Sequence, residues 1–220
     1  MHHDAPLIFE IVNFKVTHKK FNLKFKRGFV YAVLGSNGSG KSTLLRAIDR
    51  ILKPVKGTIY IDGEDIKKLS TREIAKKIAY LPQSSNSTPY STVFDVILLG
   101  RKPHISFEPT QRDLEVVEKI IEHFGLKEFD FRKINELKGG EVILRILKTL
   151  TGNLNLATII VLHDLNLSIQ FADYFIFMKN GEIYCKGDST IIEPLLIKSV
   201  YDISVKIIEF DGRKFVITYL

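Results

Sequence analysis

The sequence predicts an α/β domain with a largely parallel sheet, an N-terminal antiparallel β portion and an inserted helical lobe. Three observations lead there. Short strand-like runs fill the first third of the 220 residues. A glycine-rich turn, "AVLGSNGSGKST" (32–43), joins an apolar strand to a helix-like run. After residue 157 strands and helices alternate again, which is how parallel sheets are built. A helical block at about 84–141 interrupts a core formed by 1–83 and 142–220, the whole being one domain.

In order along the chain, "LIFEIVNFKV", "FNLKFK" and "FVYAVLG" read as strands. "STLLRAIDRIL" (42–52) reads as a helix, and "GTIYIDG" (57–63), alternating and bounded by glycines, as a strand. In "STREIAKKIAYLPQ" (70–83), Ser70 or Thr71 caps a short helix with Glu73 in its first turn, and "IAYLPQ" is expected as a buried strand. "SSNSTPYST" (84–92) is a polar loop. From Val93 to about Phe131 apolar residues recur at three- and four-residue spacing. Then come the helix "EVILRILKTL" (141–150), a turn at "TGNLN", the strand "ATIIVLHD", the helical "LNLSIQFAD" and the strand run "YFIFMKNGEIYCKG".

Composition narrows the class. Hydrophobic content of 45% and charged content of 26% are those of a soluble globular protein. The single Cys185 has no internal partner, which fits a reducing compartment. The N-terminus lacks a signal-peptide pattern, and no apolar run approaches the ~20 residues of a membrane helix. The net charge of +7 reads as solubility in a lysine-rich chain or as a match to a polyanionic partner such as nucleotide, nucleic acid or acidic lipid; the basic residues are spread along the chain, and no discrete nucleic-acid patch stands out.

The turn at 32–43 fits G-x-x-x-x-G-K-[ST], through Gly35, Gly40, Lys41 and Ser42. Each residue type has a physical reason. Gly35, Gly38 and Gly40 let the backbone turn tightly and approach a phosphate with no Cβ in the way. Amides of Ser36, Asn37, Ser39 and Thr43, with the positive helix end, suit phosphate oxygens. Lys41 adds a cation near the β- and γ-phosphates, and Ser42 a hydroxyl for Mg²⁺. ATP with Mg²⁺ is the expected cofactor pair. No N-K-x-D motif points to GTP.

Four further pieces follow in order: "YLPQ" with Gln83, "LKGGE" (137–141), "VLHDLN" with His163, and the ending "VYDISVKIIEFDGRKFVITYL". Together with the phosphate loop they resemble the ATP-binding subunit of an ABC transporter. "VILLGRKPH" (96–104), "VLHDLNLSIQFAD" and the tail look most like the importer branch for iron-siderophores, haem or cobalamin. The resemblance implies that Gln83 contacts Mg²⁺ and the attacking water, and that His163 contacts the γ-phosphate. It implies that Gly139 and Gly140 present amides to the nucleotide of a second copy, so the protein works as a homodimer. It places a membrane permease against "TVFDVILLGRKPH" (92–104), a segment that plain helical core explains equally well. The location implied is cytoplasmic, peripheral on the inner face of the membrane.

Three departures from the family pattern stand out. His18 falls where an adenine-stacking aromatic is usual, and either stacks or is a surface histidine. Lys138 replaces the usual serine that bonds the partner's phosphate. Most severe, Gly140 and His163 are only 23 positions apart. The family places there an apolar strand ending in Asp-Glu, the Walker B segment, followed by the D-loop turn. Its Asp belongs to the Mg²⁺ shell and its Glu is the general base. Neither has a counterpart, as if a block on the order of 35 residues were removed. Glu141 and Asp164 stand at positions the family does not use as the base. The strands flanking the missing one are expected to pair directly or to leave backbone groups unsatisfied. The expected role is the ATPase of an importer. The alternatives are an ATP-binding chain deficient in hydrolysis and a soluble ABC ATPase acting on nucleic acid.

Overall fold

The computed structural model describes residues 7–15, 20–53, 56–80, 92–128, 130–131 and 140–219. The chain divides into two compact units, one made of Met1–Lys68 with Leu147–Leu220 and the other of Leu69–Ile146.

In the first unit, strands β1 (Leu7–Lys15), β2 (Lys20–Lys26), β4 (Lys56–Ile61) and β5 (Glu64–Asp65) form an antiparallel sheet in the order β2-β1-β4-β5. The second sheet contains β3 (Phe29–Leu34), β6 (Ala157–Val161), β7 (Tyr174–Lys179) and β8 (Glu182–Gly187), in the order β6-β3-β7-β8. Here β3 pairs in parallel with both β6 and β7, and β8 closes antiparallel on β7. The expected parallel core is therefore present. Across the described residues, however, antiparallel pairings are more numerous than parallel ones. The strands β9 (Val205–Phe210) and β10 (Arg213–Thr218) make a separate antiparallel hairpin.

β3 sits between two neighbours and is buried from Val30 to Leu34 on both faces, which explains its unbroken apolar run. One face, through Val30, Ala32, Leu34, Phe175 and Phe177, packs on Ile197 and Val200 of α7 (Pro194–Tyr201) and on Val205 and Val216 of the last hairpin. β6 is different. It pairs with β3 on one side, no described strand pairs with the other, and all its residues are only half-buried.

Three sequence expectations are corrected here. The described part of "IAYLPQ", Ile78 to Tyr80, is not a strand, and Ala79 is exposed. Among the described residues no strand pairs with the outer edge of β6, so direct pairing, one of the two outcomes expected of the flanking strands, is not seen there. The first helix, α1 (Lys41–Ile48), also stops short of Leu52. Arg50 takes a positive φ of 57°, and Ile51 and Leu52 are exposed, so the apolar tail "IL" has no core to bury it. Similarly, α5 (Gly140–Asn153) runs through most of the expected turn at "TGNLN".

The second unit is helical, with α2 (Thr71–Lys77), α3 (Val93–Gly100) and α4 (Gln111–His123). The capping box expected at the start of α2 is present: the Ser70 hydroxyl accepts from Glu73 N, and the Glu73 carboxylate accepts from Ser70 N. Val93 packs with Val117, Ile121 and Leu126 in a small core, with Phe94, Ile97 and Leu98 against it. Most apolar residues of "VFDVILL" are thus spent on this core, while Leu99 is 54% exposed.

A nearly buried carboxylate, Asp113, links two parts of this unit. It accepts from the Thr110 hydroxyl at 2.7 Å and from Arg101 Nη2 at 2.8 Å. The Thr110 and Arg101 side chains and the Thr110 amide hold its pKa down to about 2 from an ordinary 3.8. A depressed folded-state value means that the ionised group stabilises the unit above about pH 4 and that this support is lost as pH falls toward 2. Acid titration followed by amide exchange in α4 should therefore show opening between pH 4 and 2. Asp113→Asn should remove that transition and make α4 less protected at neutral pH.

Candidate functional site

The site is built at the carboxyl end of β3, where ligands of parallel α/β sheets collect. β3 leads into the loop 35–40, and the loop ends at α1. Gly35, Gly38 and Gly40 have φ values of 147°, 76° and 101°, a region that L side chains rarely adopt. Gly35 is the tightest. A Cβ there would lie 2.2 Å from Met178 O and 2.7 Å from Ser39 Oγ. Gly40 serves as N-cap of α1, and no acidic residue stands in that helix's first turn. The helix end therefore offers its free amides and positive pole without competition.

Lys41, the first residue of α1, is 6% exposed. Its ammonium folds over the loop and donates to Gly35 O and Ser36 O, each at 2.8 Å, and to Ser39 Oγ at 3.5 Å. These partners are neutral. Burial alone pushes the Lys41 pKa down, with no carboxylate to offset it. A buried cation whose partners are only carbonyl and hydroxyl oxygens, at the positive end of a helix, is suited to an anionic ligand. Ser36 and Thr43 are half-buried, while Asn37, Gly38 and Ser42 are exposed.

The loop is tied to its surroundings. Ser39 N donates to Ser36 O at 3.2 Å, and Gly181 N donates to Ser39 O at 3.0 Å. Gly181 belongs to the Asn180-Gly181 turn joining β7 and β8, where both residues have positive φ, as this tight hairpin turn requires. Gly35 N donates to the Tyr201 hydroxyl at 2.9 Å.

His163 reaches the same end of the sheet. Val33 of β3 is in register with Val161 of β6, so Gly35 and His163 each follow two residues after a paired position. His163 is exposed there. Asp164 does a different job: as N-cap of α6 (Leu165–Phe171), its carboxylate accepts from Leu167 N at 3.0 Å. Gly140 begins α5, in the helical unit. His18, Gln83, Lys138 and Gly139 lie outside the described residues.

The ABC transporter family model matches residues 18–157, well over half of the chain. The chain belongs to the ABC transporter family, as an ATP-binding subunit. This ABC subunit is 40% identical to an uncharacterized ABC transporter ATP-binding protein of Methanocaldococcus jannaschii, over 87% of its own length and 88% of the relative's. It is 26% identical to the petrobactin import ATP-binding protein of Bacillus subtilis, over 91% and 92%. To the iron(3+)-hydroxamate import ATP-binding protein of the same organism it is 28% identical, over 88% and 85%. The fold matches an inward-facing ABC transporter described as metal-chelate type, with a TM-score of 0.76 at 18% identity, covering 97% of this chain and 98% of that one. It also matches a dimeric ATP-binding cassette bound to ADP and Pi, with a TM-score of 0.65 at 23% identity, covering 82% and 98%.

The loop fits a nucleoside triphosphate: three glycines in backbone conformations that other residues resist, a helix end with no acidic residue in its first turn and a buried Lys41 with no carboxylate partner are what a polyanion would engage. No described cluster of three or more His, Cys, Asp or Glu could hold a metal by itself. A metal ion would be held between the phosphates and the exposed Ser42 hydroxyl, neutralising phosphate charge when bound. No described helix is long and apolar enough to cross a membrane.

Changing Gly35 to alanine has a definite expected result. The new Cβ would collide with a backbone oxygen, which has no rotamer to yield, at a φ alanine resists. We expect a stability loss of about 2–4 kcal/mol by urea denaturation, and nucleotide binding weakened as the loop is displaced.

Proposed function

We propose that this chain is the ATP-binding subunit of an importer for metal chelates of the iron-siderophore, haem or cobalamin class. The observation that carries the proposal is the loop Gly35–Thr43 closed around the buried Lys41 ammonium. Relatives whose names specify petrobactin and iron-hydroxamate import support the cargo class, because they align over most of this chain. In this proposal Mg-ATP lies on residues 35–43 with Ser42 and Gln83 toward the metal, and His163 reaches the γ-phosphate. His18 stacks on the base, and Lys138, Gly139 and Gly140 face the nucleotide of a second copy. The homodimer sits at the inner face of the membrane, beneath permease subunits.

A second reading concerns turnover, and a specific observation favours it. The strand and Asp-Glu pair that the family resemblance implies between Gly140 and His163 have no counterpart in this sequence. The outer edge of β6, without a described partner, is where such a strand would pair. Asp164 is occupied as a helix cap and does not stand in for the base. The chain is then a nucleotide-binding subunit with strongly reduced hydrolysis. Titration with Mg-ATP, with Lys41→Ala as the blank, tests the cradle. Co-purification with a membrane subunit supports the importer, and co-purification with nucleic acid would replace it by a soluble ATPase.

A further inference from the structure

We propose that Tyr201 is a positioning residue for the phosphate loop, through which the C-terminal helix and hairpin set the loop's readiness for nucleotide. The inference rests on the nucleotide role proposed for residues 35–43.

The geometry begins at Gly35. Its backbone is buried, with φ 147°, and its amide must find an acceptor. The acceptor is not another amide of the loop. It is the hydroxyl of Tyr201, 166 residues later, at 2.9 Å. The amide therefore points away from the cradle into the C-terminal part of the fold, and the Gly35 carbonyl is left to accept from Lys41 Nζ at 2.8 Å. One peptide unit after another, the tyrosine fixes the glycine and the glycine fixes the lysine.

Tyr201 is itself firmly held. It is the last residue of α7, whose Ile197 and Val200 are buried against the core sheet. Just beyond it Asp202 takes a left-handed φ of 57° and ends the helix. Lys179, at the end of β7, ties this turn down by donating to Ser199 O and lying 3.6 Å from the Asp202 carboxylate. The β7–β8 turn that follows holds the opposite side of the loop through Gly181 N and Ser39 O. The same C-terminal unit grips α6, the helix after His163: Asn166 accepts from Val216 N at 2.8 Å and donates to Val216 O at 3.1 Å. The phosphate loop and the helix behind His163 are thus both fastened to α7 and the final hairpin. Burial raises the Tyr201 pKa, so the phenol keeps its proton and stays a neutral acceptor throughout the ordinary pH range.

Tyr201→Phe tests the tether, since it removes one oxygen and keeps the ring in the core. Two readouts are needed. In the nucleotide-free protein, hydrogen exchange of the Gly35–Ser39 amides should accelerate by about fivefold or more, while β7 and α7 keep their protection. The Kd for Mg-ADP should rise about three- to tenfold, with the melting temperature lowered by no more than the few degrees that one unsatisfied buried amide costs. Lys179→Met, which loosens the end of α7 without touching the phenol, should move both readouts the same way by less. Unchanged loop exchange in Tyr201→Phe, or unchanged ADP affinity despite faster exchange, would overturn the proposal. So would a loss of affinity that merely follows a general loss of protection. If the unmodified chain binds no ADP, the nucleotide reading of the loop fails, and the exchange result alone decides whether Tyr201 fixes the loop.

Discussion

Phosphate release from saturating Mg-ATP is expected to be at least about 10²-fold slower for this chain than for the petrobactin import protein of Bacillus subtilis assayed beside it. The expectation rests on the proposed reading that the chain lacks the base and the metal-positioning carboxylate of the family pattern. A positioned general base contributes roughly 10²- to 10⁴-fold, and an ion placed against the phosphates supplies much of the remaining stabilisation. Asp164, next to His163, is engaged elsewhere: it caps α6 through Leu167 N. The matching control grafts an apolar strand ending in Asp-Glu, with the turn that follows it in the family pattern, between Gly140 and Glu141 at the start of α5. Recovery of turnover in the graft, with unchanged ATP affinity, would locate the deficit in the missing block. Turnover equal to that of the relative without any graft would show that another group acts as base.

Lys41→Ala is expected to weaken Mg-ATP binding by roughly 30- to 1,000-fold, corresponding to about 2–4 kcal/mol. Two effects add. The variant loses charge-assisted hydrogen bonds to the nucleotide, each worth more than a neutral one. It also leaves Gly35 O and Ser36 O without the donor that now satisfies them, so the loop loses its closed shape. Folding should suffer less than binding, because a buried cation with no anionic partner costs desolvation, and alanine removes that cost. Isothermal titration, together with a melting curve, separates the two.

What was legible in the sequence and what was not divides by range. The phosphate loop was legible because its information is local: three glycines, a lysine and a hydroxyl at fixed spacing, between an apolar strand and a helix. The Ser70/Glu73 capping box was legible for the same reason. Ile78 to Tyr80, the described half of "IAYLPQ", form no strand, because a half-apolar run becomes a strand only where a neighbour pairs with it, and pairing is not written locally. The end of α1 was misread because Ile51 and Leu52 continue the apolar spacing, yet no core lies beneath them. The importance of Tyr201 was invisible because a tyrosine at a helix end carries no signal of a hydrogen bond 166 residues away. Of the positions expected to serve the site, the structure brings Gly35–Thr43 and His163 to one end of the sheet. Gln83, Lys138, Gly139 and His18 lie outside the described residues.

The most direct test of the whole account is a single-turnover measurement. The chain is mixed in excess over γ-labelled Mg-ATP, and bound nucleotide and free phosphate are quantified in the same sample over an hour. The account predicts that most of the label is retained by the wild-type chain as intact ATP, and that little is retained by Lys41→Ala. Rapid, stoichiometric phosphate release would contradict the loss of the catalytic acids. Equal retention by the two proteins would contradict the assignment of the cradle itself.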